Sequence, residues 1–440
     1  MIAVRPGVPD RRHETDTRMS RKHWPVNWVD GMKITKEHFR EQEAHLREEI
    51  AVLTAGLLSD DGFGVLPDPE TGAPALDYEV STEKVIVREC RAVTRGGHLI
   101  VVGAHNNAHL ARSMSDVVYG DKHKEGERLV IVLRLHPTER DGLGAPDPDE
   151  YPLRQPYATE KVSLEAIPLA AAEQMAVYEY AVPLAEVVRV YQGVEAIGEY
   201  VVPAVRMELS PALRRAYEGW RKTLLALEAD AYEIIRKIRD KHRNKLGNQL
   251  SADLLALAET IIRYIASDFD RLTVSLPQAP ASETIVWFRG LARAVRTELR
   301  LAGNQEGMQH YLQHFIRGVD ATDLLAHCNA LCDHRHHHVF LRASLDRVTA
   351  FVDFVHMLFG QLRQLDYHDI ATPTIIDGRY YNQRERGPSS APAPPPRERP
   401  APSGTPAAPI RIRSRTTGPG KSTPAPPSTE PPNGDGWGLE

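Results

Sequence analysis

The densest set of metal-ligand side chains in this 440-residue chain is the run Cys328-x3-Cys332-x-His334-x-His336-His337-His338. Thiolate and imidazole are zinc ligands, and two of each would close a tetrahedral structural site. The spacing departs from the usual frameworks, which separate two ligand pairs by an intervening segment. If residues 321–332 are helical, Cys328 and Cys332 fall on one face and pack as small hydrophobes. The histidines then read as a solvated, pH-sensitive turn. His38 has the chemistry of a general base, but a base needs an orienting group and a nucleophile or substrate cleft beside it. No G-x-S-x-G and no H-E-x-x-H occurs to supply one. His38 is therefore expected to be a buried polar anchor or an interface residue. Asp147-Pro148-Asp149-Glu150 could hold calcium, yet no EF-hand pattern surrounds it, and a solvated loop is expected. Gly420-Lys421-Ser422 ends like a phosphate loop, but Arg415 stands where its first glycine belongs and the setting is Pro-rich. The sequence assigns no catalytic residue, no metal and no cofactor.

Composition narrows the classes further. Net charge is −5 and no basic face is concentrated enough for nucleic acid. No apolar run approaches the roughly 18–20 residues of a bilayer span, so no membrane insertion is expected. The first 22 residues lack an apolar core and do not read as a secretory signal. Three cysteines give no disulfide framework and suit a reducing, cytoplasmic compartment. The length allows two or three domains with a sizeable core.

The elements that must position any site divide the chain by period. Residues 1–23 read as a mobile polar arm. Residues 24–57 hold an aromatic anchor, Trp24 and Trp28, and a first helix capped by Thr35. Phe39, Leu46, Ile50, Leu53 and Leu57 recur along that helix at helical spacing, with charges between them. Strand signals fill residues 58–205, at 63–66, 75–80, 84–93, 99–102, 129–135, 160–167 and 176–183, with further alternation to 191. Gly96-Gly97 makes a hairpin turn, and 137–156 reads as a loop. No crossover of ten or more residues separates these strands, so the pairing is expected to be antiparallel. At Ser210 and Pro211, an N-cap and a first-turn proline, the period changes to that of a helix. Leu213, Tyr217, Trp220, Leu224, Leu227, Tyr232 (slightly off phase), Ile235 and Ile238 trace one stripe. Ser251 is expected to cap a second helix. A third is expected at 282–301, a fourth at 338–365, and shorter pieces at 308–316 and 321–332, giving a helical bundle over 206–381. Residues 382–440 are rich in Pro, Ser, Thr and Ala, and a disordered tail is expected there. The fold class is thus α+β and multidomain.

Two segments carry a family resemblance. Trp28-Val29-Asp30-Gly31-Met32, followed by Thr35, His38-Phe39 and Gln42, resembles the opening signature of TssK, a baseplate subunit of the bacterial type VI secretion system. Tyr200-Val201-Val202-Pro203 through Ser210-Pro211 resembles a second family segment, with Ala204 in place of its second proline. The resemblance covers about residues 24–365. It implies an N-terminal β-sandwich shoulder, a helical neck that packs a homotrimer, and no enzymatic activity. The implied partners are baseplate wedge proteins and, less directly, an inner-membrane complex or another tail-binding partner. Many members carry a C-terminal head that meets the membrane complex, and here a Pro-rich stretch stands after the neck. On this reading Trp24, Trp28, Gly31, Met32, His38, Phe39, Gln42, Tyr217, Trp220 and Leu224 are interface residues, and Pro203, Ser210 and Pro211 form the hinge and cap. The rival readings are a metal-assisted enzyme centred on the Cys/His run and a phage-like receptor-binding or chaperone module.

Overall fold

Antiparallel pairing organises the first half of the chain, and helix packing the second. The computed structural model describes residues 22–118, 123–190, 193–244, 249–303, 323–365, 374–376 and 379–381. The expected helical piece at 308–316, the break at Gly247, most of the N-terminal arm and the expected disordered tail lie outside these residues.

After helix α1 (Lys36–Leu57), strands β1 (Gly64–Val65), β2 (Leu76–Val80), β3 (Lys84–Val93), β4 (Leu99–Val102) and β5 (Ala111–Ser113) form one sheet around β3. Short helix α2 (Met114–Val118) leads to a second sheet. It contains β6 (Arg128–Leu143), β7 (Tyr157–Pro168), β8 (Ala181–Val190) and β9 (Gly193–Ala196) in the order β7-β6-β8-β9. Every registered pair in both sheets is antiparallel. One hydrophobic core takes Val85, Val87 and Ile100 from the first sheet and Leu129, Leu133 and Leu184 from the second, so the sheets form a sandwich. The apolar run at 129–135 is buried on both faces. Leu129, Ile131 and Leu133 enter the sandwich core, while Val130 and Val132 enter a separate cluster with Phe63, Tyr178 and Val339. A continuous apolar run is what a strand covered on both sides requires.

Two sequence expectations for the sheets are corrected. The stretch 137–156 is only partly a loop, because β6 continues to Leu143 opposite β7, and the register shifts between His136 and Arg140. That irregularity accommodates Pro137, which has no N–H to give a regular ladder. The strand expected at 176–183 begins only at Ala181; Met175–Glu179 is a 3-10 turn preceded by helix α3 (Leu169–Ala172).

The helical half begins as expected at Pro211, with α4 (Pro211–Arg243), α5 (Gln249–Ser267), α6 (Ala281–Leu301), α7 (Asp323–Cys332) and α8 (Leu341–Gln364). Ser210 holds the N-cap position in extended conformation, but its side chain makes no capping bond. Pro211 at the first turn therefore supplies the start signal alone. Ser251 lies inside α5 rather than before it, buried and within 2.8 Å of His242 Nε2. One core runs through these described helices. The last described stretch, expected to belong to the bundle, is a two-stranded sheet of β10 (Thr374–Ile376) and β11 (Arg379–Tyr381).

Two glycines set the closest approaches. Gly64, at φ +126°, lets β1 meet the 202–205 segment: a Cβ there would lie 2.1 Å from the Pro203 carbonyl oxygen. That carbonyl accepts the Val65 N–H at 2.9 Å, and Val205 N–H donates to Val65 O. Gly97 sits at φ +80° in the β3–β4 turn, and its Cβ would lie 2.0 Å from Ala51 O in α1. The glycine expected for the hairpin thus also seats the first helix on the sandwich.

Candidate protein-interaction surface

Helix α1 turns its apolar side outward. Phe39, Leu46, Ile50, Leu53 and Leu57 are all exposed, Leu57 at 89%, while the residues it buries are His45 and Ala51. Its inward side uses small residues and charges. Ala51 and Ala55 face Gly97. Arg47 pairs with Glu160 of β7 at 2.9 Å, and Glu43 with Arg140 of β6 at 2.7 Å. A surface helix ordinarily buries its apolar stripe, and a contiguous exposed one marks a docking site.

The segment before α1 extends this surface. It runs back along the helix, antiparallel to it. Glu48 accepts the backbone N–H groups of Lys22 and His23 at 2.9 and 2.8 Å, so these two residues of the expected arm are tied down. Gln42 Oε1 accepts the Val26 N–H at 3.1 Å. The Trp28 ring stands 6.1 Å from both the His38 and Phe39 rings. Trp24, Trp28, Val29 and Ile34 are exposed, and Met32 is half-buried beyond Gly31, which takes φ +79°. The signature spacing thereby acquires a physical reason: Gln42 pins the strap and His38-Phe39 supports the tryptophan.

His38 has a further duty. Its Nδ1 accepts the Thr35 backbone N–H at 3.1 Å from the third helical position. This is the reach-back half of a capping box, where Glu or Gln usually serves. The Thr35 hydroxyl oxygen lies 3.5 Å from the same nitrogen, so the ring is engaged in closing the helix start. His38→Ala is expected to cost about 1 kcal/mol, read from the urea midpoint, and His38→Gln to restore most of it. An alanine variant as stable as the parent would remove this role.

Tyr217, Trp220 and Leu224, expected to contact another copy, are buried in the chain's own core. The Tyr217 hydroxyl donates to Leu272 O, and Trp220 Nε1 donates to Thr349 Oγ1 at 2.9 Å. The described helices of one chain pack around this stripe, so Tyr217, Trp220 and Leu224 are satisfied internally. Pro203 and Pro211 stand where the sandwich gives way to α4, Pro203 held through its carbonyl.

The Cys/His run divides as a helix and a loop whose histidines are half-buried except at His338. Cys328 and Cys332 lie in the helical core, and burial pushes the Cys328 thiol up to about 12, which keeps it from acting as a thiolate. The histidines are not a solvated turn. His338 is fully buried, its Nε2–H donating to Phe63 O at 2.7 Å and its ring 4.6 Å from the Phe63 ring. Burial pushes His336 and His338 down to about 4, so both rings are neutral at pH 7. His334 Nε2 and His336 Nδ1 lie 2.9 and 3.0 Å from Ser344 Oγ. The Asp147–Glu150 loop is exposed or half-buried, with Glu150 ion-paired to Arg154.

No helix among the described residues is long and apolar enough to cross a membrane. No protein-family model and no curated protein matches the sequence. Among solved structures, the chain is similar to one in the type VI secretion TssK-TssF-TssG baseplate subcomplex. The two share 12% identity over 76% of this chain and 99% of that one, at a TM-score of 0.40. It is similar to a crystal structure of TssK at 13% identity, 77% and 69% coverage and a TM-score of 0.42. TssK from EAEC, solved with a nanobody, shares 14% identity over 72% of this chain and 68% of that one, with a TM-score of 0.44. At these identities and scores, what the chain does has to be read from its own surface.

Proposed function

We propose that the chain is a structural baseplate subunit of a type VI secretion system, acting by binding and without chemistry of its own. The observation that carries the reading is α1, whose charged side is spent on the sandwich while its apolar stripe and the tryptophan strap face outward. A chain that devotes residues 22–57 to an outward apolar face is built for permanent contact. The signature around Trp28, Gly31, His38, Phe39 and Gln42 supplies the class of partner: the wedge proteins of the baseplate. The sandwich and strap take the wedge, copies of the chain associate as a trimer in the cytoplasm, and the assembly links the baseplate to the membrane-side complex. Trimer contacts would come from exposed positions, since the α4 stripe is consumed within one chain.

The test is co-expression with TssF and TssG, named in the TssK baseplate subcomplex and taken as the wedge subunits, followed by native mass spectrometry. The expected result is a three-copy assembly carrying both wedge subunits. A chain that stays single and elutes apart from them contradicts the reading.

A further inference from the structure

We propose that Asp61, His336 and His338 bind one divalent transition-metal ion, zinc fitting best, which clamps the loop before α8 to the segment entering β1. One donor atom from each residue lies within 4.8 Å of the other two. The carboxylate comes from just after α1 and the two imidazoles from the α7–α8 loop, so the ion would tie together parts of the chain 275 residues apart.

The hydrogen bonding of the two rings argues for a ligand. His338 gives its Nε2 proton to Phe63 O, which leaves Nδ1 with a bare lone pair. That Nδ1 is buried and has no hydrogen-bond partner. His336 engages Ser344 through Nδ1, and its Nε2 is likewise buried and unpartnered. A buried ring nitrogen left without a partner is costly, and this cluster holds two. In metal sites the far nitrogen of each ligating histidine is held by a carbonyl or hydroxyl, which fixes the ring and its tautomer. Phe63 O and Ser344 Oγ occupy those outer positions.

Ligand chemistry selects the ion. Two neutral imidazoles and one carboxylate suit zinc, with water completing a tetrahedron. Bonds of roughly 2.0–2.1 Å place tetrahedral donors about 3.4 Å apart, which small rotations of Asp61 and His336, both partly exposed, can reach from the observed spacing. Cys328 and Cys332 take no part, being packed in the helical core. The ion would strengthen a junction that already holds the Tyr200 hydroxyl, which donates to Val339 O at 2.7 Å.

The test uses the full chain without a histidine tag, stripped with chelator and titrated with zinc chloride and, separately, cobalt chloride. Expected are one tight equivalent, a melting temperature raised by about 3–5 °C at saturation, and a visible cobalt spectrum without a thiolate charge-transfer band. Asp61→Asn and His336→Gln, which spare the fully buried His338, are each expected to weaken binding at least 100-fold while circular dichroism is unchanged. Any weak binding at the other histidines among the 19 is expected to be the same in the parent and in these variants. No tight equivalent overturns the proposal, as does a thiolate band, or tight binding that survives both substitutions.

Discussion

A Phe39→Glu, Leu53→Glu double variant is expected to lose capture of the wedge subunits by 100-fold or more while its melting temperature stays within about 2 °C of the parent. The two side chains are 62% and 68% exposed and belong to no core cluster, so the chain's own stability draws little on them. Glutamate is a good helix former, and α1 should persist. An interface covering these positions would have to desolvate two unpaired carboxylates. It would also lose an aromatic anchor that supports Trp28. A factor of 100 corresponds to about 2.7 kcal/mol, within reach of one or two central contacts. Surface plasmon resonance on the co-expressed subunits measures the affinity, and calorimetry the stability. Unchanged affinity would mean that the stripe meets no wedge protein. A melting temperature lowered by ten degrees would mean that the stripe is part of the fold.

Gly97→Ala is expected to cost about 3 kcal/mol or more in urea unfolding and to weaken wedge binding at the same time. The residue sits at φ +80°, which costs an L-residue about 1 kcal/mol before any contact is considered. The added methyl would also stand 2.0 Å from Ala51 O and 2.7 Å from Ala55 N, both backbone atoms of α1 that no rotamer change can move. The helix must lift from the sandwich or the hairpin must distort. Lifting α1 breaks the Arg47–Glu160 and Glu43–Arg140 pairs, each worth little at the surface, and disturbs the outward stripe as a unit. A cost below 1 kcal/mol with full binding would show that the helix is not seated through this glycine.

Much of the fold was legible because its patterns are local. Residues 84–93 and 99–102 alternate and carry a Gly-Gly turn between them, and they form strands with those same limits. Pro211 stopped the strand period and started α4 where expected. Orientation was not legible. Phe39-Leu46-Ile50-Leu53-Leu57 and Leu213-Tyr217-Trp220-Leu224 are the same kind of stripe in sequence, yet the first faces outward and the second is buried within the chain. The difference depends on Gly97 for α1 and on the helices packed around α4, and periodicity carries no information about either. The histidine run was visible, but Asp61 and Phe63 were not tied to it, since their meeting depends on how the loop before α8 packs on the segment before β1. Met175–Glu179 was misread because a short alternation of apolar residues fits one 3-10 turn as well as a strand.

Hydroxyl-radical footprinting of the chain, alone and assembled with wedge subunits, tests most directly whether the N-terminal face exists to be covered. Trp24, Trp28 and Phe39 are exposed in the free chain and should oxidise readily. On assembly their labelling should fall several-fold, while Tyr232, exposed on α4, keeps its rate. Trp24, Trp28 and Phe39 labelled equally in both states, in a complex shown to be intact, would contradict the account.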